Sequence, residues 1–296
     1  MNEIISYLYN INISNELNYD GQVLYKTNSS HYLYKEIDNN YSAILFLYDI
    51  IKQIKNYHFF SYNFKQNIFN DIISTYNEKK FVLIDVGNDY DKIVDFDDMF
   101  SFYNDSRNIL IDKVKYRNNW DLLWESKISY LSEHFNTNKL INKNYSLIFN
   151  YYISIAEIAL EYLLKVKRKY SDNNQICFAH RRILYPNIKL NFYNPLNFII
   201  DIEQRDISEY IKSLFYNHED YENELVYYLK LHKMDHYSAS LLYARIIYPS
   251  IFLDDYEANT LKIEKYIDFD LYEKFIKKIY DIISSYILID KIDWLD

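Results

Sequence analysis

Short apolar–polar alternations fill the first third of the chain, and apolar residues recur at helical spacing over the rest. Alternation over Gln22 to Tyr25 and over Tyr32 to Ile37 predicts two strands, because successive side chains of a strand point to opposite faces. Two further apolar runs, Phe69 to Thr75 and Lys80 to Val86, flank Asn77-Glu78 and predict a hairpin. The pattern therefore indicates a small, mostly antiparallel sheet.

Helical spacing predicts the remaining elements. Ile4 to Tyr9 forms a short opening helix, and Tyr41 to Tyr57 forms the helix that packs behind the sheet. The strongest helical period, Ile148 to Leu163, ends in the basic run Lys165 to Lys169, which either complements the helix C-terminus or forms a docking patch. Further helices are predicted near residues 205–217, 219–232, 236–247, 255–265 and 268–288, with Trp294 as a packing anchor. An α+β fold follows, with the strand-rich part joined near Gly87 to a larger helical part.

Composition excludes several classes of protein. The 296 residues include two glycines, Gly21 and Gly87, which rules out a glycine-rich phosphate loop. A net charge of −9 disfavours nucleic acid as a partner, since duplex binding needs a basic face. The single cysteine, Cys177, excludes an internal disulfide. No apolar run approaches the roughly 18 residues of a membrane span, so no membrane contact is expected.

Tyrosine is unusually abundant, at 35 residues. With the many Asn, Ile and Lys residues, this content is typical of an AT-rich genome. A tyrosine-rich surface suited to cross-linking is the alternative.

Two other features look like metal sites but lack the required spacing: the acidic run Asp89 to Asp98, and the pair His232 and His236. We expect the acidic run to be a solvated helix start and loop, and the two histidines to be a pair on a helix surface.

One stretch carries the candidate chemistry. A short apolar run leads into His180, and Asn187 follows seven residues later. Two apolar segments around Asn194-Pro195 predict a hairpin that ends on Asp201, after which R-D-I-S-E-Y-I opens a helix. A second distinctive segment, L-L-Y-A-R-I-I-Y-P, ends at Pro249.

These motifs resemble those of a known superfamily. The first is similar to the H-x-D-x-x-x-x-N loop and metal-binding Asp of the aminoglycoside phosphotransferase and choline kinase-like proteins, a branch of the protein-kinase fold. Within it, both motifs and the N-N-W-D-L-L-W-E-S-K-I segment around Trp120 resemble the spore-coat kinase-like proteins of the CotS and YutH type. The resemblance implies a two-lobed fold, with a small lobe over residues 1–87 and a helical large lobe over 88–296. It also implies synthesis in the mother-cell cytoplasm, a place in the spore coat, and other spore-coat proteins as partners.

The departures from the family pattern concern catalysis. Arg182 stands where the superfamily has its catalytic Asp, and a guanidinium, with a pKa above about 12, cannot accept a proton. Lys35 stands at the position of the lysine that pairs with nucleotide phosphates, or it is a solvated strand lysine. The helix after it offers Asp49 as its only acid where the family pattern has a glutamate partner.

Asn187 and Asp201 would hold magnesium if that ion binds. Otherwise Asn187 is a turn residue, and Asp201 is a helix-start acid or the partner of Arg181, Arg182 or Arg205. We favour the ion pair, and we expect Arg182 to lie within reach of an acid in the 201–206 segment.

Three functions remain open. The first is a catalytically degenerate kinase-like protein with a structural or scaffolding role in the spore coat, for which no ATP or magnesium is expected. The second is an active small-molecule or protein phosphotransferase that uses ATP and magnesium, with Glu203 or Asp206 as a substitute base. The third is a pseudokinase that binds nucleotide and docks a partner.

Overall fold

Two compact units divide the chain: Met1–Asp112 with Pro186–Ile199, and Lys113–Tyr185 with Ile200–Asp296. The structure is a computed structural model that describes residues 1–19, 21–37, 41–55, 62–106, 119–137, 143–170, 176–183 and 185–292. The predicted end of the second helix at Tyr57 and the predicted anchor Trp294 lie outside these residues. The predicted lobe division at residue 87 stays a prediction.

The first unit is built on an antiparallel sheet. Its elements are α1 (Asn2–Tyr9), β1 (Asn15–Tyr19), β2 (Gln22–Lys26), β3 (His31–Glu36), α2 (Tyr41–Lys55), β4 (Asn63–Phe64), β5 (Ser74–Tyr76), β6 (Lys79–Gly87), α3 (Phe96–Ser106) and, after the return of the chain, α6 (Lys189–Phe192). The strand order is β1-β2-β3-β6-β4, with β5 paired to β6. The α1 residues Ile5 and Tyr9 pack with Tyr25, Phe81 and Leu83 of the sheet to form its core.

The predicted strands of this sheet are confirmed with two additions, β1 and the two-residue β4, and one shortening. The β5–β6 turn has Asn77 and Glu78 at positive φ, 48° and 64°, as a two-residue mirror-image turn requires. Of the predicted first arm, Phe69 to Thr75, only Ser74 and Thr75 pair with β6, and Tyr76 extends the strand by one residue. Sequence alternation missed β1, because its N-E-L-N-Y residues have few apolar side chains and are mostly exposed.

The predicted hairpin around Asn194-Pro195 is wrong. Residues Lys189–Phe192 form α6 instead, and Pro195–Asn197 form a 3-10 turn whose start is capped by Asn194 Oδ1, which accepts a hydrogen bond from the Leu196 amide (3.1 Å). Leu190 and Phe192 are both buried, so their i, i+2 spacing imitated one face of a strand. The strand that follows, β8 (Phe198–Ile202), pairs with β7 (Ile176–His180).

The second unit is mainly helical. Its helices are α4 (Trp120–Thr137), α5 (Lys143–Lys169), α7 (Gln204–Tyr216), α8 (Tyr221–Leu231), α9 (His236–Ile247), α10 (Ser250–Glu257), α11 (Ile263–Tyr266) and α12 (Phe269–Tyr286). α9 is buried along nearly its whole length and packs against α5 and α7. The single helix predicted near 255–265 is wrong. α10 and α11 are separate, with Asn259 at a φ of 56° between them, a left-handed conformation that no helix continues through.

Helix α5 is the one described helix that is long and apolar enough, from Tyr145 to Lys169, to cross a membrane by length and composition. Half of its most apolar window is buried inside the protein, where α5 packs against α4 and α9. A core helix has the same composition, so this finding is weak evidence for a membrane span. The expectation of no membrane contact stays a prediction.

Candidate functional site

His180 and Asp206 form the first part of a buried cluster in the second unit. β7 ends at His180 and α7 begins just before Asp206. The His180 amide donates to both carboxylate oxygens of Asp206 (3.0 Å each), and His180 Nδ1 lies 2.6 Å from Asp206 Oδ2. Both side chains are about 1% exposed. A carboxylate so engaged holds the end of β7 in place and has no access to a substrate hydroxyl.

Asp201, at the end of β8, is fully enclosed. Its Oδ1 accepts from Trp120 Nε1 (2.8 Å) and from the Ile202 amide (2.8 Å), and its Oδ2 accepts from Arg205 Nη1 (2.9 Å). Arg205 also donates to the carbonyl oxygens of His180 (3.0 Å) and Arg181 (3.3 Å). Burial raises the pKa of Asp201, and the nearby Arg205 opposes that shift. The favoured ion pair between Asp201 and an arginine is therefore present, with Arg205 as the partner.

A second charged group lies between α7 and α9. Glu209 Oε1 accepts from Arg245 Nε (3.0 Å) and Lys212 Nζ (3.1 Å), and its Oε2 accepts from Ser250 Oγ (2.7 Å). Lys212 also donates to the carbonyl oxygens of Arg245 (3.1 Å) and Tyr248 (3.0 Å). Burial alone would raise the pKa of Glu209, but Lys212 and Arg245 hold it well below its usual range. Burial lowers the pKa of Lys212 to about 8 against the opposing pull of Glu209.

Aromatic rings cover this charged group. The Arg245 guanidinium carbon lies 4.8 Å from the ring centre of Trp120 and 5.7 Å from that of Trp124. Trp124 stacks in turn on Tyr248, with ring centres 4.1 Å apart. Cation–π contacts of this kind strengthen when water is excluded. Trp120 and Trp124 are both buried.

Arg182 lies away from these acids. Its side chain is 58% exposed, and its Nη2 is 2.8 Å from Asp254 Oδ2 on α10. The prediction that it faces an acid of the 201–206 segment is wrong. Arg205 takes that role because it lies in the first turn of α7, four residues after Asp201, whereas Arg182 follows the end of β7 and points outward.

The other predicted site residues belong to the first unit. Lys35 is exposed on β3, opposite Val82 of β6, and has no ion-pair partner among the residues that the structure describes. Asn187 is 4% exposed, and its carbonyl oxygen accepts from the Val94 amide (2.7 Å). Its Nδ2 has no hydrogen-bond partner among the described residues. The nucleotide and metal roles of Lys35 and Asn187 stay predictions.

The remaining polar candidates have structural partners. Glu203 contacts His232, which follows the end of α8, while His236 opens α9 and bonds the Leu288 carbonyl oxygen (2.8 Å). The expected helix-surface pair of histidines is therefore wrong, because α8 ends before His232 and a new helix, α9, begins at His236.

In the acidic run Asp89 to Asp98, Asp89 pairs with Lys189 (2.7 Å) and Asp95 caps α3 by accepting from the Asp98 amide (2.8 Å). Across the described part of the chain, no group of three or more His, Cys, Asp or Glu side chains could hold a metal.

Comparison with known proteins identifies the family. The family model described as "Spore coat putative kinase YutH" matches residues 2–284. The chain belongs to the spore coat YutH family. Endospore coat-associated protein YutH of Bacillus subtilis (strain 168) is 23% identical to this YutH-family chain over 209 residues, which are 60% of this chain and 61% of that protein. The match thus spans about three fifths of the relative's length.

Solved structures confirm the kinase-like fold of this YutH-family protein. An aminoglycoside phosphotransferase from Alicyclobacillus acidocaldarius has a TM-score of 0.66 at 9% identity, covering 97% of this chain and 95% of its own. A spectinomycin phosphotransferase in complex with ADP and spectinomycin has a TM-score of 0.58 at 11% identity, covering 96% and 95%. At these identities the likeness shows the fold alone.

Sequence reasoning missed part of the cluster. Glu209 lies in the R-D-I-S-E-Y-I motif and Arg245 in the L-L-Y-A-R-I-I-Y-P motif, and the structure joins the two motifs through this pair (2.9 Å). A charged residue inside an otherwise apolar helical run was the available signal, because such a residue is buried only with a partner.

Proposed function

We propose that this YutH-family protein is a catalytically degenerate kinase-like protein with a structural or scaffolding role in the bacterial spore coat. The relative from Bacillus subtilis is named as endospore coat-associated, which supports this location. Synthesis in the mother cell and partnership with other coat proteins belong to the same proposal.

The state of Asp201 is the observation that carries the proposal. The fold family implies a magnesium ion at the positions of Asn187 and Asp201, and Asp201 does not fit one. Magnesium needs carboxylate oxygens that it can reach together with its own waters. Here the side chain is 0% exposed, and both of its oxygens accept hydrogen bonds from Trp120, Arg205 and the backbone. The Arg205 guanidinium already supplies the positive charge that a metal would bring.

The lack of a free base is a second support. Arg182 stays protonated and is directed to Asp254. Of the two acids that could substitute, Asp206 is bound to His180, and Glu203 is 4% exposed and in contact with His232. Neither carboxylate is positioned to take a proton from a bound alcohol.

The connection between the first two strands of the sheet supports the same view. β1 and β2 are joined by residues 20 and 21 alone, with Tyr19 paired to Gln22. A two-residue connection is too short to wrap the phosphates of a nucleotide. The exposed Lys35, which lacks an ion-pair partner among the described residues, favours the nucleotide-binding pseudokinase as a second candidate.

One set of measurements separates these functions. Purified full-length protein is melted with and without ATP and magnesium, and phosphate release and transfer are assayed under the same conditions. We expect no rise in melting temperature and no turnover above background. A rise that Lys35→Ala abolishes would establish the nucleotide-binding function instead. Turnover that Asp201→Asn removes would establish an active phosphotransferase.

A second experiment tests the coat role. The protein is located by immunodetection in coat extracts of spores. The Lys35→Ala variant, which alters an exposed side chain, serves as the matched control. We expect both forms in the coat fraction in equal amounts. A protein that stays outside the coat would contradict the structural role.

A further inference from the structure

A cavity of about 690 Å³ lies beside the C-terminal half of α5 in the second unit. One wall is a single stripe of that helix, with Ile158, Glu161, Lys165 and Arg168 at positions i, i+3, i+7 and i+10. Lys291 and Ile292 contribute to the facing wall. Its volume falls within the roughly 300–1,000 Å³ of small-molecule sites. No lining residue belongs to the His180–Asp206 cluster.

The facing wall is fixed to the helix. The Tyr162 hydroxyl donates to the Asp290 carbonyl oxygen (2.9 Å), and Lys169 Nζ pairs with the Asp290 carboxylate (2.8 and 3.0 Å). Ile289 and Ile292 on either side are 3% and 6% exposed. The cavity is therefore a formed feature of this unit.

The basic residues of this helix end fall into two kinds. Lys167 pairs with Asp121 (2.6 Å) and Lys169 with Asp290, and these two serve the packing of the unit. Lys165 and Arg168 are exposed and have no acidic partner among the described residues, and both line the cavity beside the paired Lys169. Cations that only balance the partial negative charge at the C-terminus of α5 contribute about a few tenths of a kcal/mol each. That role does not require Lys165 and Arg168 to line the same cavity. In a chain of net charge −9 this is a locally positive site.

We propose that this cavity binds a small anion with an apolar body. A carboxylate or phosphate group lies between Lys165 and Arg168, one helical turn apart, where the planar guanidinium can bind two oxygens at once. The apolar body lies against Ile158 and Ile292. The site is independent of the proposed coat function, since it shares no residue with the degenerate catalytic centre.

The test is calorimetric titration of the full-length protein with two probes that share a benzene ring, phenyl phosphate and isophthalate. These probes distinguish a phosphate from a carboxylate ligand. We expect saturable binding of at least one probe, weakened at least about tenfold by Lys165→Glu/Arg168→Glu because two attractive charges become repulsive. The matched control is Lys274→Glu/Lys277→Glu on α12, which makes the same change of charge at exposed positions and leaves the affinity within about twofold.

A substitution that should strengthen probe binding provides a second test. Glu161 lies on the same stripe as Lys165, so Glu161→Gln removes a repulsive charge and strengthens probe binding by about two- to fivefold. Equal weakening by the cavity and control pairs, a weaker Glu161→Gln, or no saturable binding by the unchanged protein would each overturn the proposal. Inorganic phosphate binding as tightly as phenyl phosphate would also overturn it, since the apolar wall would then contribute nothing.

Discussion

The sheet of the first unit exposes most of its charged side chains, whereas the α7–α9 pair of the second unit buries them. On the sheet, Lys35, Glu36 and Lys79 are exposed, and the Lys79–Glu36 pair has side chains 59% and 50% exposed. Between α7 and α9, Glu209, Lys212 and Arg245 are buried, and both cations pair with the one carboxylate. Exposed pairs contribute little to stability, whereas a buried pair that loses one member leaves an uncompensated charge. The interior that resembles a catalytic centre is therefore where substitutions should be most damaging.

Removing Arg205 should have the largest effect. Arg205→Leu takes the counter-charge and a hydrogen-bond donor from fully buried Asp201. It also removes the Arg205 donor from the His180 carbonyl oxygen, whereas the Arg181 carbonyl oxygen keeps its bond from Arg182 Nη1 (3.0 Å). We expect a loss of about 3–5 kcal/mol in the free energy of unfolding, measured by urea denaturation.

The sheet supplies the control for this experiment. Lys79→Leu removes an exposed cation and should cost no more than about 1 kcal/mol. Asp201→Asn combined with Arg205→Leu should recover part of the loss, because no buried charge is left unpaired. Equal costs for Arg205→Leu and Lys79→Leu would show that the interior and surface pairs do not differ.

Lys212 offers a test by pH. Burial lowers its pKa from 10.5 to about 8 in the folded protein, so between these values the unfolded chain binds more protons than the folded one. Stability from this group therefore rises with pH over that window, and Lys212→Met lacks the rise. We expect the variant to be less stable by about 3 kcal/mol near neutral pH and the difference to widen as the pH approaches 10. A difference that narrows over this window would show that Lys212 is not held in a desolvated site.

Arg182 should have the smallest effect. Its side chain is 58% exposed, so Arg182→Ala should cost less than about 1 kcal/mol, despite its place in the catalytic-loop motif. Burial raises the pKa of Asp254, and the loss of Arg182 should raise it further, which NMR titration of this carboxyl group can measure. A loss as large as that of Arg205→Leu would show that Arg182 belongs to the interior cluster.

The sequence predicted the fold better than the site. Strands β2 and β3 followed from alternation and β6 from an apolar run, although three successive residues of β3 and four of β6 are buried, so that both faces are covered there. β1 was missed because it is mostly polar, and α6 was taken for a strand because two buried residues stood at i, i+2.

The partners of the buried charged residues were harder to predict from the sequence than the strands and helices. The Arg205–Asp201 pair could be anticipated from their nearness in the chain. The contact between Glu209 and Arg245 joins residues 36 positions apart, and Trp120 reaches Asp201 across 81, distances over which spacing carries no information. Only the fold brings such residues together.

The return of residues 186–199 to the first unit has a consequence for synthesis of the chain. The sheet unit uses this segment for backbone bonds from Val94 to Asn187 (2.7 Å) and from Tyr62 to Tyr193 (3.3 Å), and for the ion pair of Asp89 with Lys189 (2.7 Å). Residues 113–185 must be translated first. At about 5–20 residues per second this takes roughly 4 to 15 seconds. The nascent sheet unit waits over that time for its last segment, so its folding is completed late although it starts the chain.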